Sequence, residues 1–206
     1  MSITLLMVLL RMNLVYLHGF QSSPFSIKGQ QLKHYCQIHH PEIQVHLPDL
    51  NLPPLVVVDV IQQLIEELDQ VVLVGSSFGG FYATQFVAKY ALPAVLINPA
   101  VRPWQLFRDL FGINQIPYWV GDRWTLTEQH LDQLEQMAVP YADPAEKILV
   151  LLQQGDETLD YREAQRYYSQ PSHRALILSD AHGNHAMDDF EQKIPLILEF
   201  LTYSLK

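Results

Sequence analysis

One serine in this chain stands where covalent chemistry needs it. The segment Val71-Val72-Leu73-Val74-Gly75-Ser76-Ser77-Phe78-Gly79-Gly80 contains Gly-x-Ser-x-Gly as Gly75, Ser77 and Gly79. An apolar run precedes it and a helical pattern follows. In that context a serine sits on a sharp strand-to-helix turn and offers its hydroxyl as a nucleophile. Glycines two residues to either side leave room for the backbones that crowd such a turn. The helix start beneath favours negative charge developing there. Two other glycine-rich readings fail on residue type. A dinucleotide loop needs Gly-x-Gly-x-x-Gly, and Ser77 occupies its middle glycine; a phosphate loop needs Gly-Lys-Ser/Thr, and Phe81 follows Gly80.

A serine nucleophile needs a base, and the base needs an orienting acid. After the apolar run Ile148–Leu152 comes Gln153-Gln154-Gly155-Asp156-Glu157. Asp156 is the preferred acid, with Glu157 and Asp160 as neighbouring alternatives; Asp160 better suits a helix start, where a carboxylate meets the helix dipole. After Leu176–Leu178 comes Ser179-Asp180-Ala181-His182-Gly183-Asn184-His185, in which His185 is preferred over His182 as base. The order Ser77, Asp156, His185 is that of the α/β-hydrolase fold. The loop Leu17-His18-Gly19-Phe20 follows the first apolar run, so the Phe20 and Phe78 amides are the expected oxyanion hole. His18 precedes the serine, the wrong order for the base, and reads as a structural residue holding its loop. His182 and His185 lack a Cys or second acidic cluster at ligand spacing, so neither a metal nor an organic cofactor is expected.

The elements that must position these residues are legible as alternation. Short β-branched runs at Leu14–Leu17, Ile43–Leu47, Val71–Val74, Ala94–Ile97, Ile148–Leu152 and Leu176–Leu178 read as strands buried on both faces. Helical patterns separate them at Ile27–Gln37, Val57–Leu68, Phe78–Tyr90, Tyr161–Tyr168 and Asp188–Tyr203. This predicts a mostly parallel, six-stranded open sheet flanked by helices, with right-handed crossovers. Residues 99–147 hold no convincing strand but all three tryptophans, and read as a small helical lid with helices near Trp104–Phe111 and Thr127–Met137. Trp104, Phe107 and Trp119 are the expected pocket residues.

The 206 residues fit one domain, with 49% hydrophobic and 17% charged residues and a net charge of −9. That charge disfavours nucleic acid and anionic membrane surfaces. A single cysteine, Cys36, excludes an internal disulfide and points to a cytoplasmic protein. The apolar run Ile3–Leu10 is too short to span a membrane, so residues 1–11 read as an N-terminal extension and residues 12–206 as the domain.

These segments together resemble the YqiA-type esterases. The similarity rests on Tyr16–Phe20 with Ser22-Ser23-Pro24, Val74–Gly80 with Tyr82-Ala83-Thr84, Leu92–Val95, and Asn98–Pro103. It continues in Leu151–Gln154, Gly155-Asp156-Glu157 with Leu159–Arg162, and Gly183–Ala186. The resemblance implies hydrolysis of small-molecule acyl esters or thioesters by Ser77, Asp156 and His185. An acyltransferase with the same triad, or a non-catalytic module on the same fold, are the alternatives. As far as His130 the charges of the insertion balance, Arg102, Arg108 and Arg123 against Asp109, Asp122 and Glu128, so a neutral ester of modest size is the expected substrate.

Overall fold

The structure, a computed structural model, describes residues 11–205. Along the chain run β1 (Asn13–Leu17), α1 (Ile27–His39), β2 (Gln44–His46), α2 (Pro54–Glu67), β3 (Val71–Ser76), α3 (Phe78–Tyr90) and β4 (Ala94–Ile97). Then come α4 (Pro103–Gln115), β5 (Tyr118–Val120), β6 (Trp124–Leu126), α5 (Glu128–Met137) and β7 (Ile148–Gln153). The chain closes with α6 (Tyr161–Tyr168), β8 (Ser169–Gln170), β9 (His173–Arg174), β10 (Leu176–Asp180) and α7 (Phe190–Ser204). The central sheet has the order β10-β7-β4-β3-β1-β2, and every pairing in it is parallel.

Period-two alternation divides the strand side chains between two cores. Leu14, Tyr16, Val72, Val74, Val95, Ile97, Leu149 and Leu151 pack against Leu32 and Cys36 of α1 and against Phe190, Ile194, Ile197 and Leu201 of α7. Val15, Leu17, Val71, Leu73, Leu96, Val150 and Leu152 meet Val57, Ile61 and Ile65 of α2 and Phe81, Tyr82 and Phe86 of α3 on the other face. The α2 positions recur every four residues, which keeps them on one stripe of the helix. Pro54 opens that helix, where its missing N–H costs nothing. Because β1 sends its chain toward β2 while β3 sends its chain toward β4, the loops after β1 and β3 diverge at the carboxyl edge. That is the place where open α/β sheets form a crevice.

The six expected strands all form, but only the four inner ones are buried on both faces; β2 and β10 lie at the sheet edges, where Leu176 and Leu178 are 53% and 41% exposed. Residues 99–147 differ from the strandless expectation: β5 and β6 make an antiparallel hairpin, turned at Gly121, whose φ is +56°. Its strands are three residues long, too short for alternation to show in sequence. The α4 helix is kinked at Gly112, where φ is +60°. Arg108 of α4 meets Glu128, Asp132 and Glu135 on or beside α5, tying the two helices together. The expected N-terminal extension lies, apart from Arg11, outside the described residues.

His18 locks the loop after β1. Its Nε2 accepts from the Leu50 amide at 2.9 Å and its Nδ1 donates to the Gly19 carbonyl at 2.9 Å. A protonated ring could not accept at Nε2, and burial lowers the His18 pKa below 6.5. The unfolded chain therefore binds the extra proton first. No penalty exists above about pH 6.5, and stability is lost as the pH falls from there toward the depressed folded value. Urea unfolding between about pH 7 and pH 5 is expected to show a fall of up to about 1.4 kcal/mol per pH unit from this group. The His18→Gln protein should show a shallower fall; equal slopes would rule out this role for His18.

Candidate active site

Ser77 bridges β3 and α3 with φ 54° and ψ −118°, a conformation L-residues rarely hold. Its amide donates to the Ile97 carbonyl at 2.9 Å, and its carbonyl accepts from Gly80 at 2.9 Å and Ala100 at 3.0 Å. The elbow is thereby tied to the end of β4. The glycines are required by space: a Cβ on Gly79 would run into the Leu17 carbonyl of β1, and one on Gly75 would stand 2.6 Å from the Gly79 carbonyl oxygen.

The His185 Nε2 lies 3.0 Å from Ser77 Oγ, and its Nδ1 lies 2.8 Å from Asp156 Oδ2. A carboxylate can only accept, so Nδ1 carries the ring proton and Nε2 is left free to accept from the serine hydroxyl. The Asp156 side chain is buried, 2% exposed. Its Oδ1 accepts from the amides of Thr158 and Leu159, both at 2.8 Å. Glu157 accepts instead from the His185 amide at 3.0 Å. Asp160 caps α6 by accepting from the Arg162 amide at 3.0 Å, and His182 is exposed. Among the described residues no group of three His, Cys, Asp or Glu is placed to hold a metal ion.

Two buried amides hold the histidine loop, and sequence reasoning assigned neither a role. Asn98, at the end of β4 with φ 40°, donates to the Asn184 and His185 carbonyls at 3.1 and 3.2 Å and accepts from the Gln153 amide at 2.9 Å. Gln153 accepts from the Asn184 amide at 2.7 Å and donates to Asp189 at 2.7 Å. The sequence signals were a polar residue closing each of two apolar runs, which also describes an ordinary strand end, and the place of both residues in segments that resemble the YqiA-type esterases, which gave neither a role.

A crevice of about 640 Å³ opens over Ser77 and His185. Phe20 and Phe78 border it, their rings meeting edge to face at 6.1 Å. Phe78 is the first residue of α3, so its amide has no acceptor within the helix. The loop carrying Phe20 abuts Ser77: a Cβ on Gly19 would be 3.4 Å from Ser77 Cβ. Pro103, Leu106, Phe107 and Leu110 form the α4 wall at helical spacing. Of the expected pocket residues only Phe107 lies here. Trp104 is turned about 100° from Pro103 around the helix and faces Phe81 and a separate cavity beside Tyr167. Trp119 is 70% exposed, because its strand neighbour Val120 points into the core and alternation sends Trp119 outward.

Residues 13–202 match the family described as Uncharacterised protein family (UPF0227). The chain belongs to this family. It is the YqiA-type family that the sequence motifs resemble. Solved structures of the same architecture accompany this UPF0227 chain. Est1E from Butyrivibrio proteoclasticus, bound to ferulic acid, superposes with a TM-score of 0.70 at 15% identity, covering 94% of this chain and 89% of that one. Mouse alpha/beta hydrolase domain-containing protein 10 gives 0.69 at 14% identity, covering 94% and 90%. An esterase of Pyrococcus furiosus gives 0.66 at 13% identity, covering 95% and 83%. The UPF0227 chain therefore has the α/β-hydrolase fold.

The elbow contacts set a stability test. Gly79→Ala is expected to cost about 3 kcal/mol or more, because rigid backbone of β1 must move. Gly121→Ala meets nothing within 4 Å but keeps a positive φ, so it should cost only about 1–2 kcal/mol. Denaturant midpoints of the two proteins would compare them; a Gly79→Ala protein as stable as Gly121→Ala would contradict the close approach.

Proposed function

We propose that this protein is a serine carboxylic ester hydrolase acting on small-molecule acyl esters through an acyl-enzyme. The observation carrying this reading is the unbroken line Ser77 Oγ, His185, Asp156, with links of 3.0 and 2.8 Å ending on a buried carboxylate. Membership of the YqiA-type family and the esterases among its structural neighbours support it.

His185 takes the Ser77 proton as the oxygen attacks the ester carbonyl. Asp156 holds the ring in the tautomer that accepts this proton and stabilises the imidazolium. The amides of Phe20 and Phe78 donate to the carbonyl oxygen as it gains negative charge. Collapse expels the alcohol, which takes its proton from His185. Water, deprotonated by the same histidine, then attacks the acyl-enzyme and releases the acid. The acyl chain lies along Phe20, Phe78, Leu106 and Phe107, with residues 99–147 serving as the lid and α4 as its wall.

The setting is a reducing cytoplasm, without nucleic acid or membrane partners. The net charge of −9 repels both surfaces. The buried Cys36 thiol is pushed up to about 12 by desolvation and is unsuited to redox chemistry. Among the described residues no helix is long and apolar enough to cross a membrane.

Hydrolysis of short 4-nitrophenyl esters and labelling by a fluorophosphonate probe test the reading. Ser77→Ala should abolish labelling and lower kcat by roughly 10⁴ or more, with His185→Ala nearly as damaging. Asp156→Asn should cost far more than Asp160→Asn. Undiminished hydrolysis by the Ser77→Ala protein would end the proposal. Phe107→Ala should move the optimum toward longer acyl chains, by about 1–3 kcal/mol of discrimination per methylene. A chain-length profile unchanged by this substitution would remove Phe107 from the acyl site.

A further inference from the structure

The crevice has two chemically different ends. Beyond Ser77 toward α4 it is lined by Phe20, Phe78, Leu106 and Phe107. On the His185 side polar groups enter the lining, Ser22, Ser26, Lys28, Gln31 and Asp188, interleaved with Phe25 and Ile27. In ester hydrolysis the histidine that takes the serine proton must hand it to the departing alcohol, so the leaving group lies against His185 and the acyl chain points away. The polar end is therefore the leaving-group end.

Lys28 is the cationic side chain of that end. It stands half-buried in the first turn of α1, and its Nζ donates to the Ala186 carbonyl at 2.7 Å, one residue beyond His185. An ammonium has three N–H donors, and this contact uses one. Among the described residues no carboxylate comes within 4.0 Å of Lys28. Desolvation lowers its pKa, while the fields of Asp188 and Asp156 oppose that and favour the ammonium. Asp188 accepts from the Asn184 side chain at 2.7 Å, which occupies one of its oxygens. Among the described residues the insertion lends no competing cation to this end. Arg102 pairs with Glu163, Arg123 with Asp49, and Arg108 with its three carboxylates, while Lys147 donates to the Ala91 carbonyl away from the crevice. A partly desolvated ammonium with donors to spare, beside the departing oxygen, is suited to an anion.

We infer that Lys28 is a specificity residue selecting esters whose leaving group carries an anion, a carboxylate or a phosphate. This rests on the ester-hydrolase reading above. It revises the expectation of a neutral substrate, which considered the charges of the insertion as far as His130 and not the loop and helix after β1. A charge on the acyl side gains nothing from Lys28, since that end of the crevice is apolar.

The test is the ratio of kcat/KM for paired esters. In one pair, 4-acetoxybenzoate is set against its methyl ester; in the other, 1-butyrylglycerol 3-phosphate is set against 1-butyrylglycerol. Lys28→Met keeps the apolar stem and removes the charge, and Lys28→Arg keeps the charge. The native protein should prefer the anionic member of a pair. Lys28→Met should cut that preference by roughly tenfold to a hundredfold, the range of a hydrogen bond to a charged group, and Lys28→Arg should retain most of it. The pair with the larger loss names the anion, carboxylate or phosphate. The ratio for 4-nitrophenyl hemisuccinate against 4-nitrophenyl butyrate, whose charge is on the acyl side, should stay as it was. If Lys28→Met lowers both members of each pair equally, Lys28 only holds the His185 loop through Ala186 and the inference fails. If the native protein turns over both members equally, with that turnover lost in Ser77→Ala, the inference fails and the ester-hydrolase reading stands. If no ester shows Ser77-dependent turnover, both fail.

Discussion

The arrangement depends on one close backbone approach, that of the first turn of α3 to the last carbonyl of β1. Gly79 lies directly against the Leu17 carbonyl, with no space for a side-chain carbon between them. This approach lets β3 turn into α3 within one residue, and the cost is concentrated at Ser77, whose φ is 54°. The strain persists because both peptide groups flanking the Ser77 Cα are fixed, one by Ile97 through the Ser77 amide and the other by Gly80 and Ala100 through the Ser77 carbonyl. The serine oxygen is thus held by the sheet and not by a mobile loop, which limits the freedom lost when a substrate binds.

The histidine has no such support of its own. It follows β10 at the sheet's edge, in a loop that must be reached from the neighbouring strands. Asn98 and Gln153, both buried, supply that reach by pairing the ends of β4 and β7 with each other and with the backbone of residues 184 and 185. Buried amides left unpaired would be costly, so full pairing makes this network a rigid link between strand ends and the loop. Gly183, at φ +89°, passes directly over the Gln153 side chain and leaves no space for a Cβ. The position of His185 therefore follows from hydrogen-bond satisfaction in strands that precede it in the chain.

The crevice above is built by segments with different tasks. The loop after β1, locked by His18, and the face of α4 at Pro103, Leu106, Phe107 and Leu110 form opposite banks. Aromatic contacts join them beside Ser77: Phe107 meets Phe20 at 4.5 Å and Phe78 at 5.5 Å. The α4 bank is anchored outward by Arg108 against α5, in exposed ion pairs that orient more than they stabilise. The bank after β1 ends in Lys28, whose contact with Ala186 joins it to the histidine loop.

The sequence by itself determined the sheet and the elbow. The apolar runs of β1, β3, β4 and β7 have no other stable place than strands covered on both faces, and Gly75, Ser77 and Gly79 between a strand and a helix leave little choice of turn. It also carried the chain order in which Ser77, Asp156 and His185 come together, because in a parallel sheet successive strand ends meet at one edge. Only the tertiary structure decided among neighbours at that edge. It decided that Asp156 turns toward His185 while Glu157 takes the backbone amide and Asp160 caps a helix, since all three carboxylates look alike until partners are assigned. The same holds for the aromatic residues of 99–147. Composition marked them as pocket material, but which of them faces Ser77 depends on helix phase and strand parity, and these brought Phe107 in, left Trp104 against Phe81 and sent Trp119 into solvent. Asn98, Gln153 and Lys28 were legible only as ordinary polar residues. Their importance lies in contacts 31 to 158 positions away along the chain, which local pattern cannot encode.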